Sequence, residues 1–191
     1  MTHCDLGGKS SCGGIPYSIR GVDSKDYNNK TPIPSLYSVN MFIFESSEHT
    51  CYAASSNTVW GWGAGQNGCL LDKVATTSPH ILYSLPPNSH VKIVQIFAGM
   101  RTCGVVLSDG RLLTWGCFFW GSGHEKEVAV PTCPPGAENF KVVFGAFIGI
   151  YSSCHLVVVE ENGLCWEKEK SQWKKVSLDD YFPRLISEEN E

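Results

Sequence analysis

Short apolar runs, broken at regular intervals by turn-forming residues, organise the middle of this chain. Val91-Lys92-Ile93-Val94-Gln95-Ile96-Phe97-Ala98 predicts one strand, Gly99-Met100-Arg101 a turn, 102–108 a second strand, Asp109-Gly110 a hairpin turn and 111–116 a third strand. Asp-Gly between two apolar runs signals a hairpin because such turns need positive φ, which Gly supplies without steric cost. The same grammar recurs. His49-Thr50-Cys51 to Trp62-Gly63 matches Arg101-Thr102-Cys103 to Trp115-Gly116, with Ser56-Asn57 at the turn, and the interval from Trp62 to Trp115 sets a period of 53 residues. A degraded third copy occupies 154–166 with Asn162-Gly163 at its turn, and one more period of 53 falls on Lys168. Behind each Trp-Gly pair stand a Gly-rich loop and a segment bearing prolines (Pro79, Pro86, Pro87; Pro131, Pro134, Pro135), where a fourth, irregular outer strand fits. Periods of this size belong to propellers, solenoids or arrays. The expectation is an all-β chain of about three antiparallel meander blades, at 38–90, 91–140 and 141–178. An irregular segment 1–37, partly flexible or the remnant of a blade, precedes them, and an acidic tail 179–191 with one helical turn near its start follows.

The clearest stretches are 96–116 and 59–70. Their order of apolar strand, Ala98-Gly99, a polar pair ending in Thr102, apolar strand, Asp109-Gly110, short strand and Trp115-Gly116 resembles the repeat of the regulator-of-chromosome-condensation family. In that family's terms Gly68-Cys69-Leu70 stands at a Gly-Gln-Leu turn, Gly121-Ser122-Gly123 does so more loosely, and His49-Thr50 resembles a His-Thr pair of which Arg101-Thr102 keeps the second member. The likeness runs from about 38 to 170 and fades in the third copy, which lacks the Trp-Gly end. It implies a β-propeller with a ring of about seven blades, which at this period needs roughly 370 residues. With 191 residues the chain holds about three blades, an open array rather than a closed ring, and is read as a fragment or short isoform of a longer propeller protein. The structural repeat positions are His49, Trp62, Gly63, Gly68, Gly99, Trp115, Gly116 and Gly121. Trp62 and Trp115 are expected at equivalent buried places, and Gly63, Gly99 and Gly116 where a Cβ collides or φ is positive.

Composition narrows the function. Nineteen glycines, ten prolines and 42% hydrophobic residues describe a turn-rich globular chain, and a net charge of −4 argues against a general polyanion binder. The basic cluster 168–175 is diluted by Glu169 and reads as a solvated strand-turn-strand surface. No apolar stretch reaches the ~18 residues of a membrane helix, and no signal-peptide plan opens the chain, so cytoplasm or nucleus is expected, with no membrane partner. Nine cysteines, an odd count, then read as reduced thiols, with Cys51 and Cys103 as small apolar residues on matching strands.

Several motifs tempt and fail. Gly63-Ala64-Gly65-Gln66-Asn67-Gly68 matches a dinucleotide fingerprint, but Thr76-Thr77-Ser78-Pro79 leaves no room for the helix whose N-terminus holds the pyrophosphate. Gly8-Lys9-Ser10 lacks the upstream Gly and the feeding strand of a phosphate loop. No Cys-x-x-Cys exists to organise zinc. Cys154 and His155 are strand neighbours facing opposite ways, so they are not a nucleophile and its base; His49 and His155 are expected to bond backbone within a blade. Phe118, Phe119 and Trp120, expected in a loop, and His124 beside Glu125, are the candidate partner contacts; packing between blades is the competing reading for the aromatic run.

No convergent acid, base, nucleophile or metal set emerges, so no catalytic residue and no cofactor is expected, and the chain reads as a protein-interaction scaffold rather than an enzyme. The resemblance adds a second class, nucleotide exchange on a small GTPase of the Ran type together with histone or chromatin attachment. No exchange residue can be placed here, and no exchange activity is expected. A carbohydrate-binding or inhibitor propeller is the remaining alternative. Direct nucleic-acid binding is not expected.

Overall fold

The structure is a computed structural model that describes residues 42–46, 50–63, 65, 68–71, 75–99, 101–118, 126–149, 154–169 and 172–181. Three four-stranded antiparallel sheets follow one another along the chain. The first holds β1 (Phe42–Ser46), β2 (Thr50–Ala54), β3 (Thr58–Gly63) and β4 (Thr76–Ser84). The second holds β5 (Ile93–Ala98), β6 (Thr102–Leu107), β7 (Leu112–Phe118) and β8 (Lys126–Thr132), and the third β9 (Val142–Ile148), β10 (His155–Glu160), β11 (Cys165–Glu169) and β12 (Gln172–Val176). Strand order within each sheet is sequence order, the meander that the repeat predicts, and the outer fourth strand pairs with breaks in register in the first two sheets and continuously in the third.

The turns explain the meander. Gly110 (φ 85°) and Gly163 (φ 81°) close the β6–β7 and β10–β11 hairpins in a conformation that favours Gly. The β2–β3 turn has no Gly, and the Ser55 hydroxyl takes over by accepting from Thr58 N at 3.1 Å while Ser55 N donates to Thr58 O at 2.8 Å. Pro79 and Pro131 fall inside β4 and β8, each where the ladder to the third strand skips, so the missing N–H costs no pairing and the outer edge is poorly suited to recruit another strand.

Register gives each sheet two faces. Cys51 pairs Trp62, Cys103 pairs Trp115 and Leu156 pairs Lys168, so Lys168 occupies in the third sheet the place of the two tryptophans. Trp115, Cys103 and Val105 face back onto Tyr52, Ala54 and Leu70 of the first sheet. Phe97 and Val106 face forward onto Leu156 and Val158 of the third. The Phe97 ring fills the volume over both Gly104 and Gly145, where any Cβ would overlap it. Burying each such large side chain contributes about 1.5–3 kcal/mol. The junction is further fixed by Gln95, whose side-chain amide acts as a strand peptide: Nε2 donates to Gly145 O and Gly145 N donates to Oε1, both at 2.9 Å.

Three expectations change. The third strand of the second copy runs on to Phe118, because Gly116 takes φ 109° and lets Cys117 N donate to Arg101 O at 2.8 Å while pairing with β8 continues. Lys168 is not a solvated charge: it is 4% exposed, donates to Pro135 O at 2.7 Å and lies over the Trp173 ring at 5.1 Å. Burial pulls its ammonium pKa below the usual lysine range, with Glu138 acting the other way. His155 pairs through Nδ1 with the Glu167 carboxylate at 2.8 Å rather than with backbone, since β11 places that carboxylate beside it.

Candidate interaction surface

The hairpin side of the array is where side chains gather without being consumed by packing. The first two hairpins there are each tied to the start of the next sheet: Ile93 N donates to Ser56 O at 2.7 Å, and Val142 N donates to Gly110 O at 2.9 Å. The same repeat joins Ser108 N to Lys92 O and Glu161 N to Lys141 O, both at 2.8 Å. Four backbone bonds thus lock the turns into a continuous rim, a rigid frame for variable side chains.

The first strands supply the apolar part of that rim. Ile93 pairs Leu107 and Gln95 pairs Val106, so Val94 is the unpaired residue of a β-bulge. Val142 pairs Glu160 and Phe144 pairs Val159, so Val143 is the same extra residue one sheet later. The bulges turn both valines outward, and Val94 is 47%, Val143 53% and Phe144 42% exposed. Beside them opens a cleft of about 370 Å³ between the second and third sheets, lined by Val94, Val143, Asp109, Lys141 and Glu161 among others. Its charges are held in place. Asp109 Oδ2 meets Arg111 Nε at 2.7 Å, and Lys141 Nζ donates to Asp109 O at 3.3 Å. Slight burial pushes the Asp109 carboxyl up, but the Arg111 backbone and guanidinium bonds outweigh it and leave the pKa below the usual value. Apolar side chains framed by fixed charges suit a protein partner.

The residues singled out in the sequence fall elsewhere. Phe118 ends β7, is 5% exposed and packs on Phe147 of the third sheet with ring centroids 5.9 Å apart, the packing between blades that was the competing reading. Phe119, Trp120, His124, His49 and Gly121, together with segment 1–37, lie outside the described residues. Trp62 and Trp115 are 1% and 0% exposed, and Trp115 Nε1 donates to Cys69 O at 3.2 Å, a carbonyl that also accepts the Tyr52 hydroxyl at 2.9 Å. That carbonyl belongs to a turn in which Gly68 has φ 72° and Leu71 φ 62°. Gly63 has φ 110°. Gly99 needs no unusual φ but has no room, since a Cβ would stand 2.7 Å from Phe147 Cβ. Sequence reasoning missed Val94 and Val143, because inside a continuous apolar run no local signal marks which residue the bulge expels.

A second cleft, about 300 Å³, follows β8 past Val128, Val130 and Cys133 to Pro135. Among the described residues no group of three or more His, Cys, Asp or Glu is placed to hold a metal ion, and no helix is long and apolar enough to cross a membrane. Among the described residues Cys51, Cys69, Cys103, Cys117, Cys133, Cys154 and Cys165 are in no disulfide.

No protein-family model and no curated protein sequence matches the chain. Solved structures do. Prp20p from Saccharomyces cerevisiae, described with its binding to Gsp1p and histones, superposes with a TM-score of 0.65 at 18% identity over 85% of this chain and 42% of that one. Human WBSCR16 gives 0.63 at 16% identity over 83% and 44%, and yeast RCC1 (Prp20) bound to Kap60 gives 0.59 at 22% over 81% and 38%. The chain therefore spans about two-fifths of the length of these β-propellers. Its fold is of the RCC1 type, three antiparallel blades in an open array.

Proposed function

We propose that this chain is a protein-binding module, and that the hairpin rim around Val94, Val143 and Phe144 is the surface that meets the partner. The reading is carried by one observation: the same β-bulge in two successive blades expels an apolar side chain beside a charged cleft. The similarity to Prp20p supports proteins as the partner class, since that propeller is described as binding Gsp1p and histones. A second reading, exchange on a Ran-type GTPase, draws on the same similarity. We expect binding without exchange.

The test uses the purified full chain, immobilised and exposed separately to Gsp1p and to histones. A Val94→Asp/Val143→Asp chain, whose substitutions touch no buried position, should lose at least about tenfold in affinity, as a charge placed in an interface core would. Binding that is indifferent to the double substitution moves the site elsewhere, and no binding to either protein removes both as partners. Release of a fluorescent guanine nucleotide from Gsp1p should run at its intrinsic rate with the chain present. Clear acceleration would establish the exchange reading instead.

A further inference from the structure

The β6–β7 and β10–β11 turns match bond for bond. Gly110 N donates to Leu107 O and Gly163 N to Glu160 O, both at 2.9 Å, while Leu107 N donates to Arg111 O at 2.9 Å and Glu160 N to Leu164 O at 2.8 Å. The residue before each glycine folds its side chain back on the hairpin: Asp109 Oδ1 accepts from Arg111 N at 3.2 Å, and Asn162 Oδ1 from Leu164 N at 2.9 Å. The same place thus carries a carboxylate in the second sheet and an amide in the third.

Their surroundings differ. The Asp109 carboxylate is held by Arg111 Nε at 2.7 Å, and a carboxylate anion resists attack at its carbon. A Cβ on Gly110 would stand 3.0 Å from Lys141 Cα, whereas nothing lies within 4 Å of one on Gly163. Asn162 and Gly163 are exposed, and among the described residues the one hydrogen bond to the Asn162 side chain comes from Leu164 N. That donor sits on the oxygen where charge gathers when Cγ is attacked, as in an oxyanion hole. The chain has one other Asn-Gly step, Asn67-Gly68, but there Gly68 is buried, with the Glu127 side chain 2.9 Å from its Cβ position.

We propose that Asn162-Gly163 is a self-modification site, at which the chain deamidates with water as the co-reactant and so changes the charge and the register of the third hairpin. Gly163 N gives up Glu160 O, loses its proton to solvent base and bonds to Asn162 Cγ, and Leu164 N–H meets the anion formed at Oδ1. The Cγ–Nδ2 bond breaks, ammonia leaves with a proton from water, and a cyclic imide remains. Water then opens the imide. Addition at Cγ gives an ordinary aspartate, which the turn accepts, since Asp109 makes the same bonds in the same place. Addition at the main-chain carbonyl gives isoaspartate, whose backbone runs through Cβ and Cγ and is a carbon longer. The tight turn has no room for that carbon, so the bond from Glu160 N to Leu164 O and the Val159–Cys165 pairing come apart. Both products put a new negative charge beside Glu160 and Glu161, and Glu161 N is the donor that ties this hairpin to Lys141 O on the rim. The inference does not depend on the rim having a partner.

The test is to age the folded full chain at physiological temperature and follow each asparagine by peptide mass spectrometry. Asn162 should convert about tenfold faster than Asn67, Asn88 or Asn139 and give two isomeric acidic peptides, as an exposed amide with a fixed donor on its oxygen requires. The rate should rise with pH, because the attacking amide must first lose its proton. Conversion of Asn162 no faster than that of Asn67 overturns the proposal. Asp109→Asn offers an amide to the matching turn beside the crowded Gly110, and conversion at 109 should run about tenfold slower than at 162. Equal rates at the two turns would overturn the selection of Asn162 by its open surroundings. Asn162→Asp should leave the urea midpoint where it is, and a clear fall would deny that the two turns are equivalent.

Discussion

Replacing Gly116 by Ala separates two ways in which a glycine is needed. Gly116 has φ 109°, and a Cβ there would strike the carbonyl of Arg101 and stand 2.8 Å from Thr102 Cα. Both are backbone atoms that cannot rotate aside, and Arg101 O is also the acceptor for Cys117 N. The conformational strain costs about 1–3 kcal/mol and the forced displacement a further 1–3, so Gly116→Ala should lose ~3–5 kcal/mol. Gly163 is the control. It has φ 81° in open space with nothing within 4 Å of a built Cβ, so Gly163→Ala should lose only the strain, ~1 kcal/mol. Urea unfolding followed by tryptophan fluorescence measures both, since the chain carries six tryptophans. If the two substitutions cost the same within ~0.5 kcal/mol, the collision counts for nothing and the close approach of β7 to the 101–102 backbone has been misjudged.

Trp115→Ala should lose ~3–5 kcal/mol, because it empties a fully buried site and removes one of the two donors to the Cys69 carbonyl; a loss below ~1 kcal/mol would mean the first and second sheets are not held there. Gln95→Ala should speed hydrogen exchange of the Gly145 amide well beyond that of Val158, and equal change at both would deny the side-chain clamp. Alkali should destabilise the chain. Burial raises Cys103 well above 9.0 and Tyr52 well above 10.0, so above those values the unfolded chain releases protons that the folded chain keeps, and stability falls with rising pH by up to about 1.4 kcal/mol per unit for each group. Lys168, depressed by burial, acts in the opposite sense over a window below its ordinary value. A urea midpoint no lower at pH ~10.5 than at pH ~8, or a fall undiminished by Cys103→Ala, would contradict the assignment.

The repeat was legible because it is written in residues with one structural use. Gly110 and Gly163 can only be turns in that setting, and Trp62 and Trp115 mark the same register so reliably that their period locates Lys168 after the tryptophan itself is gone. The third sheet was harder to see for the same reason: Lys168 and Trp173 divide the work of one tryptophan, meeting at Pro135 O at 2.7 and 3.0 Å. The candidate surface was not legible. Whether Val94 is buried or expelled depends on how β5 slips against β6, at a point where Ile93 is also bonded to Ser56 some 37 residues earlier. The Glu167 partner of His155 was not legible either, because sequence does not show that the carboxylate opposite Val157 will reach back to it.

The backbone ties along the rim have a consequence for synthesis. In both junctions the donor comes from the later sheet and the acceptor from the hairpin of the earlier one, and the principal contacts between sheets join first to second and second to third. The first two hairpin turns are each finished by the sheet that follows them. The blades can therefore consolidate in the order in which they leave the ribosome, each templating the next, with a low entropic barrier at every step. A propeller that closes must still bring its last blade back to its first; an open row of blades gains its stability as it grows.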